Sequence, residues 1–212
     1  MRGARRTVGV VVGLVVAAGA LAGAGAAAAT PAFQPAGTAL AAASSGEHVF
    51  SVSSNIKFRC NQARWTGTTA NPLGDTVSIT AKYGTATGVA GAWCRYYVGG
   101  VFSATTVTPS AAWAMTATTY NPLTGVSSGT ITTSGGTTFT TGTCVTTLTS
   151  GNVLPFQAND DTWSPAGPGL WLTINATGLH YTSSGCSGFG IPATGTTMSA
   201  SGVSYDPNVY VG

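Results

Sequence analysis

The stretch "GLWLTINAT", Gly169–Thr177, alternates strictly. In an extended chain Leu170, Leu172, Ile174 and Ala176 point to one side, and Trp171, Thr173 and Asn175 to the other. A helix would scatter these residues around its axis, whereas a strand sorts them into an apolar face and a polar one. The same period recurs along the chain. In "NIKFRC", Asn55–Cys60, Ile56, Phe58 and Cys60 oppose Lys57 and Arg59. In "TVSITAKY", Thr76–Tyr83, the apolar face is Val77, Ile79, Ala81 and Tyr83. In "AAWAMTATTY", Ala111–Tyr120, it is Trp113, Met115 and Ala117. Threonine is abundant, and its branched β-carbon favours strands over helices. No run of eleven or more residues beyond the N-terminal segment carries a helical apolar pattern. Many short strands between turn clusters predict an all-β, antiparallel β-sandwich of immunoglobulin-like or jelly-roll type.

The turns have a recurring form. "TTANPLGDT", Thr68–Thr76, returns fifty residues later as "TTYNPLTGV", Thr118–Val126, and "YDPN" closes the series at Tyr205–Asn208. Pro fixes φ, the residue before it is pushed out of the helical region, and a following Gly supplies positive φ. Cys94 and Cys144 share the fifty-residue offset, which suggests a duplication. Cys60 has only Ser110 at its shifted position, so a repeated strand-to-turn device is the preferred reading.

The N-terminus reads as an export signal. Arg2, Arg5 and Arg6 precede an uncharged run, Thr7–Ala29, that ends in small residues before Thr30 and Pro31. Residues 1–29 are therefore expected to be removed, with residues 30–47 as an N-terminal extension and 48–212 as one β-sandwich domain. The Arg5–Arg6 pair raises a twin-arginine route, with the general secretory route preferred. The 183 residues that remain are enough for one core.

An exported chain with four cysteines implies two disulfides. The spacings between Cys60, Cys94, Cys144 and Cys186 match no zinc knuckle. Sequential pairing crosses the fewest elements, so Cys60–Cys94 and Cys144–Cys186 are expected.

The chain holds eight basic and five acidic residues. Loss of Arg2, Arg5 and Arg6 leaves Lys57, Arg59, Arg64, Lys82 and Arg95 against Glu47, Asp75, Asp160, Asp161 and Asp206, a balance of zero. Nucleic-acid binding needs a basic footprint, and none is expected from this balance. The loose group Lys57, Arg59 and Arg64 reads as a solvated strand face. A net charge near zero also permits self-association or attachment to a wall.

Catalytic patterns are weak. "GVSSG", Gly125–Gly129, matches a nucleophile elbow only in letters, because no helix follows Ser127. His48 and His180 stand far apart in sequence. Asp160 and Asp161 are adjacent, so on an extended segment they point opposite ways and cannot flank one glycosidic bond. A weak loop calcium at that pair is the one metal option, and no cofactor is implied. The segment "PFQANDDTWSPAGPGLW", Pro155–Trp171, is the least strand-like. Within it Trp163, with Asn159, Asp160 and Asp161 beside it, has the chemistry to stack on a sugar and bond its hydroxyls. The competing reading has Trp163 and Trp171 capping the core.

Two stretches, "WAMTATTYNPLTGVSSGTIT" (Trp113–Thr132) and "SSGCSGFGIPATGTTMSASGVSYDP" (Ser183–Pro207), resemble small exported four-cysteine, Thr/Gly-rich β proteins of actinobacteria. That family carries no established activity. The resemblance implies export and a β-sandwich, and no catalytic residues. The resulting expectation is a secreted, non-enzymatic structural or interaction protein of the cell envelope or its surroundings, without a membrane span in the mature chain. The alternative is a carbohydrate-binding module using the Trp163 loop.

Overall fold

The computed structural model describes residues 30–109, 112–160 and 169–211. Its strands form eight antiparallel staves, most of them broken near the middle. The first stave is β2 (Ala39–Ser44) followed by β3 (His48–Ser51), and the second is β4 (Ile56–Cys60) with β5 (Ala63–Thr68). The third is β6 (Thr76–Tyr83) with β7 (Cys94–Val98), and the fourth β8 (Val101–Thr108) with β9 (Trp113–Asn121). The fifth is β10 (Val126–Thr132) with β11 (Thr138–Thr141), and the sixth β12 (Cys144–Leu148) with β13 (Val153–Asp160). The long strands β14 (Leu170–Ser184) and β15 (Thr194–Asp206) are the seventh and eighth.

Each stave pairs with the next along its two halves. β2 pairs with β5 and β3 with β4; β5 pairs with β6 and β4 with β7; β6 pairs with β9 and β7 with β8. β9 pairs with β10 and β8 with β11; β10 pairs with β13 and β11 with β12. Both β12 and β13 then lie along β14, β14 along β15, and β15 closes onto β2 and β3. The result is a closed, up-and-down antiparallel barrel of eight staves.

The all-β, antiparallel and disulfide-stapled expectations match this structure. The two-sheet sandwich does not, because one sheet closes on itself and every stave has two partners. Alternation cannot separate the two folds, since both require one apolar and one polar face per strand. The N-terminal extension expected over 30–47 also differs. β2 is part of the wall, and β1 (Phe33–Gln34) pairs with β16 (Tyr210–Val211).

The expected alternation is obeyed. Leu170, Leu172, Ile174 and Ala176 are buried inside while Thr173 and Asn175 are exposed outside. The barrel is filled rather than hollow. Trp65, Trp113, Tyr83, Phe50, Phe58, Phe139 and Met115 are fully or nearly fully enclosed. Phe139 stacks on Phe58 at 4.7 Å between ring centres and lies 4.8 Å from Phe50, and Phe50 meets Tyr83 edge-on at 5.4 Å. Side chains from five staves thus share one core. Among the described residues the only helical segments are 3-10 turns, Gly84–Thr87 and Ser187–Phe189. The first interrupts the third stave at Gly84, which has φ +54°; a Cβ there would sit 2.6 Å from Cys94 Sγ.

The two barrel ends are closed differently. One end carries both Asn-Pro-Leu turns and the β1–β16 pair, which buries Phe33, Val209 and Val211. In its second turn Asn121 Oδ1 accepts from Leu123 N–H at 3.0 Å and the Asn121 carbonyl accepts from Gly125 N–H at 2.9 Å. The fifty-residue spacing is therefore one stave out and one back, as a turn device requires. The other end is covered by residues 185–193, tied down by Cys144–Cys186 and by the Tyr96 hydroxyl, which donates to the Phe189 carbonyl. Cys60–Cys94 joins directly opposed residues of the second and third staves. Both pairs are the expected ones, and no described cysteine is free.

Candidate functional site

The interior holds one pair of side chains that looks catalytic. His48 Nε2 lies 3.1 Å from Ser204 Oγ and 3.3 Å from the Val203 carbonyl oxygen. His48 is 2% exposed and Ser204 is fully buried. A carbonyl can only accept, so the tautomer that uses the Val203 contact carries the proton on Nε2 and has no lone pair there for the Ser204 hydroxyl. Burial lowers the His48 pKa to about 4, with the Val203 hydrogen bond opposing the shift. The ring packs on the backbone of Gly202, where a Cβ would come within 2.4 Å of Nδ1. It also meets Trp65 at 6.1 Å and Tyr83 at 5.8 Å. Burial likewise drives the Tyr83 phenol upward. This arrangement seals a neutral imidazole in the core. Ser127 is fully buried and its hydroxyl has no hydrogen-bond partner, so no histidine activates it. His180 faces outward on β14.

Asp206 is also enclosed. Its Oδ2 accepts from Ala41 N–H, and its Oδ1 accepts from Asn208 N–H at 2.8 Å. That carboxylate anchors the chain beyond the eighth stave to the first, which is the physical content of the "YDPN" turn.

The outer wall carries exposed polar and charged groups, and two of its sides differ. On the second and third staves the outward positions carry Lys57, Arg59 and Arg64, then Lys82 and Arg95. Cross-strand register sets Arg59 opposite Arg95 and Arg64 opposite Lys82. All five basic residues between positions 30 and 212 therefore lie on two neighbouring staves. Only Arg59 has a described carboxylate partner: its Nε donates to Glu47 Oε2 at 2.9 Å. Arg95 is held between two rings, its guanidinium carbon 4.3 Å from the Trp93 ring centre and 4.7 Å from that of Phe102. Phe102 is 59% exposed.

The opposite side, on the sixth to eighth staves, has no Lys, Arg, Asp or Glu among its described outward side chains. Register places Asn159 opposite Trp171 and Trp171 opposite Tyr205, whose rings lie 4.6 Å apart. Two shallow grooves, each of about 450 Å³, flank the exposed Thr173 and Asn175. One is bordered by Ser45 and Glu47 where the first stave breaks, the other by Ser128 and Gln157.

Of the binding residues expected from sequence, Asn159 is exposed on this side. Asp160 continues β13 and pairs with Leu170. Asp161 and Trp163 lie outside the described residues. Trp171 is half-buried on the wall against Tyr205, so it does not cap the core. Sequence reasoning missed the basic stripe. Its signal was the outward phase of Lys82 and Arg95 in their strands, but without register their neighbours were unknown.

Fold and surface together define a filled, disulfide-stapled up-and-down β-barrel with a charge-segregated wall. No protein-family model, no curated protein and no solved structure matches the chain.

Proposed function

We propose that the protein is an exported, non-enzymatic interaction or structural module of the cell envelope or its surroundings, working through the outer wall of its barrel. The observation that carries this reading is that His48 and Ser204 are sealed inside a packed core while the described Lys and Arg side chains stand on the wall. Two disulfides support an oxidising compartment. The described helical segments include none long and apolar enough to cross a membrane. The wall is rich in Thr, Ser, Asn, Lys and Arg around an apolar interior, the inverse of a transmembrane barrel. The experiment is N-terminal sequencing of the protein recovered from culture medium. A chain starting near Thr30 supports the reading, and one retaining residues 1–29 in the cell refutes it.

A second reading, binding of neutral carbohydrate, is favoured by Trp171, Tyr205 and Asn159 in one cross-strand row beside polar grooves. The Trp163 segment directly follows that row in sequence. Retention on chitin, cellulose and peptidoglycan, abolished by Trp163→Ala or Trp171→Ala with little change in melting temperature, would support it. Absence of retention of the wild type on all three would remove it.

A further inference from the structure

We propose that the stripe formed by Lys57, Arg59, Arg64, Lys82 and Arg95 binds a linear anionic envelope polymer, one with a carboxylate or phosphodiester charge at each repeat. This deepens the reading of the wall as the working surface and rests on it.

Three observations carry the proposal. First, the barrel sets like charges directly opposite each other at Arg59–Arg95 and at Arg64–Lys82. Such pairs destabilise a sheet, and a bound polyanion removes the repulsion. Second, the stripe is long and narrow. Lys57 and Arg59 lie on β4 and Arg64 on β5 of one stave, with Arg95 and Lys82 facing Arg59 and Arg64 from the third stave one strand spacing away. That shape fits an extended chain rather than a compact anion. It is also sparingly neutralised. Glu47 engages Arg59, Asp206 is buried, and Asp75 stands seven residues from Lys82 along the third stave. Third, Arg95 is already ordered between Trp93 and Phe102, so less side-chain freedom is lost on binding.

The same rings argue against single-stranded nucleic acid. Base stacking needs open aromatic faces, and here a face of Trp93 and a face of Phe102 are taken by the guanidinium. Next to Arg64 on its other side is the small Ala43, which leaves that cation open to a ligand.

The test is titration calorimetry of the disulfide-bonded protein with polygalacturonate, with a glycerol-phosphate polymer and with a single-stranded oligonucleotide. Binding to at least one of the first two is expected, weakening on the order of 10-fold or more between about 50 and 200 mM salt as counterions compete. The first two arms tell carboxylate from phosphodiester recognition. The double variant Arg64→Glu/Lys82→Glu should lose about 10-fold or more in affinity, whereas Thr173→Ala/Asn175→Ala on the opposite side should bind as wild type does. Should the double reversal not fold, Arg64→Gln/Lys82→Gln gives the same readout with a smaller loss. Absence of binding to both polymers, equal binding by the charge variants, or tighter binding of the oligonucleotide each overturns the proposal. None of these outcomes alters the N-terminus of the exported protein, so failure here is distinct from failure of the export reading.

Discussion

The second and third staves and the seventh and eighth staves have similar inner faces and unlike outer ones. Inward, Phe58, Trp65, Ile79 and Tyr83 on one side do the same work as Leu172, Ile174, Leu179 and Met198 on the other. Outward, the first pair of staves presents five cations and the second presents Trp171, Thr173, Asn175, Ser201 and Tyr205. The barrel constrains only the inner half of each strand, because only that half must exclude water. The outer half is left open to selection by partners. Like-charge pairs opposed across a ladder are a feature that folding alone would not retain.

The sharpest way to break this comparison is to substitute adjacent residues of one strand. Trp65→Ala empties a fully buried site that packs against Trp113 at 5.8 Å. It should destabilise the fold by about 3–5 kcal/mol. Arg64→Ala, its outward neighbour, should change stability by less than about 0.5 kcal/mol. Chemical denaturation of both variants checks this, and comparable losses would show that the outer row also supports the fold.

Acid provides the next largest effect. The folded-state pKa of His48 is depressed to about 4 from the ordinary 6.5. Between those values the unfolded chain binds a proton that the folded chain refuses. Stability is therefore complete above about pH 6.5, falls as the pH drops towards 4, and stops falling on this account below 4. The total is on the order of 3 kcal/mol. His48→Gln should remove this slope, measured as the denaturation midpoint from pH 7 to pH 4. An unchanged slope would show that His48 is not the group responsible.

The disulfides compare the two sides again. Cys60–Cys94 lies within the basic side, whereas Cys144–Cys186 ties the cover of one barrel end to the sixth stave. Replacing either pair by serine should destabilise by about 2–4 kcal/mol. Only the second should speed hydrogen exchange at Phe189 and Ile191, whose segment it holds; mass-spectrometric exchange reads the difference. Equal protection in the two variants would mean that the Tyr96 contact alone secures the cover.

The smallest effect tests the charge stripe without any ligand. Lys82→Glu turns the like pair Arg64–Lys82 into an opposite one. It should stabilise the protein by about 0.2–1 kcal/mol at low salt, and by less as salt screens the pair. A destabilised variant would mean that the two cations do not repel in the folded wall.

Several of these features were legible in the residues themselves. Alternation in "GLWLTINAT" and "TVSITAKY" fixed which side chains are buried, because a strand has period two whatever sheet it joins. The Asn-Pro-Leu segments were readable as turns from proline stereochemistry, whereas the expected positive φ at the following glycine occurs at Gly125 and not at Gly74. The cysteine pairs followed from the economy of joining near elements. Local chemistry determined all of these. Closure of the sheet was beyond that reach, because a barrel and a sandwich demand the same pattern from each strand and differ only in whether the first and last staves meet. The burial of His48 against Ser204, 156 residues apart, depended on that closure. So did the stripe. The sequence of residues 30–212 determined a net charge of zero, but only the pairing of Arg59 with Arg95 and of Arg64 with Lys82 set its cations side by side. Register is a long-range property of hydrogen-bonded ladders, and composition carries no record of it.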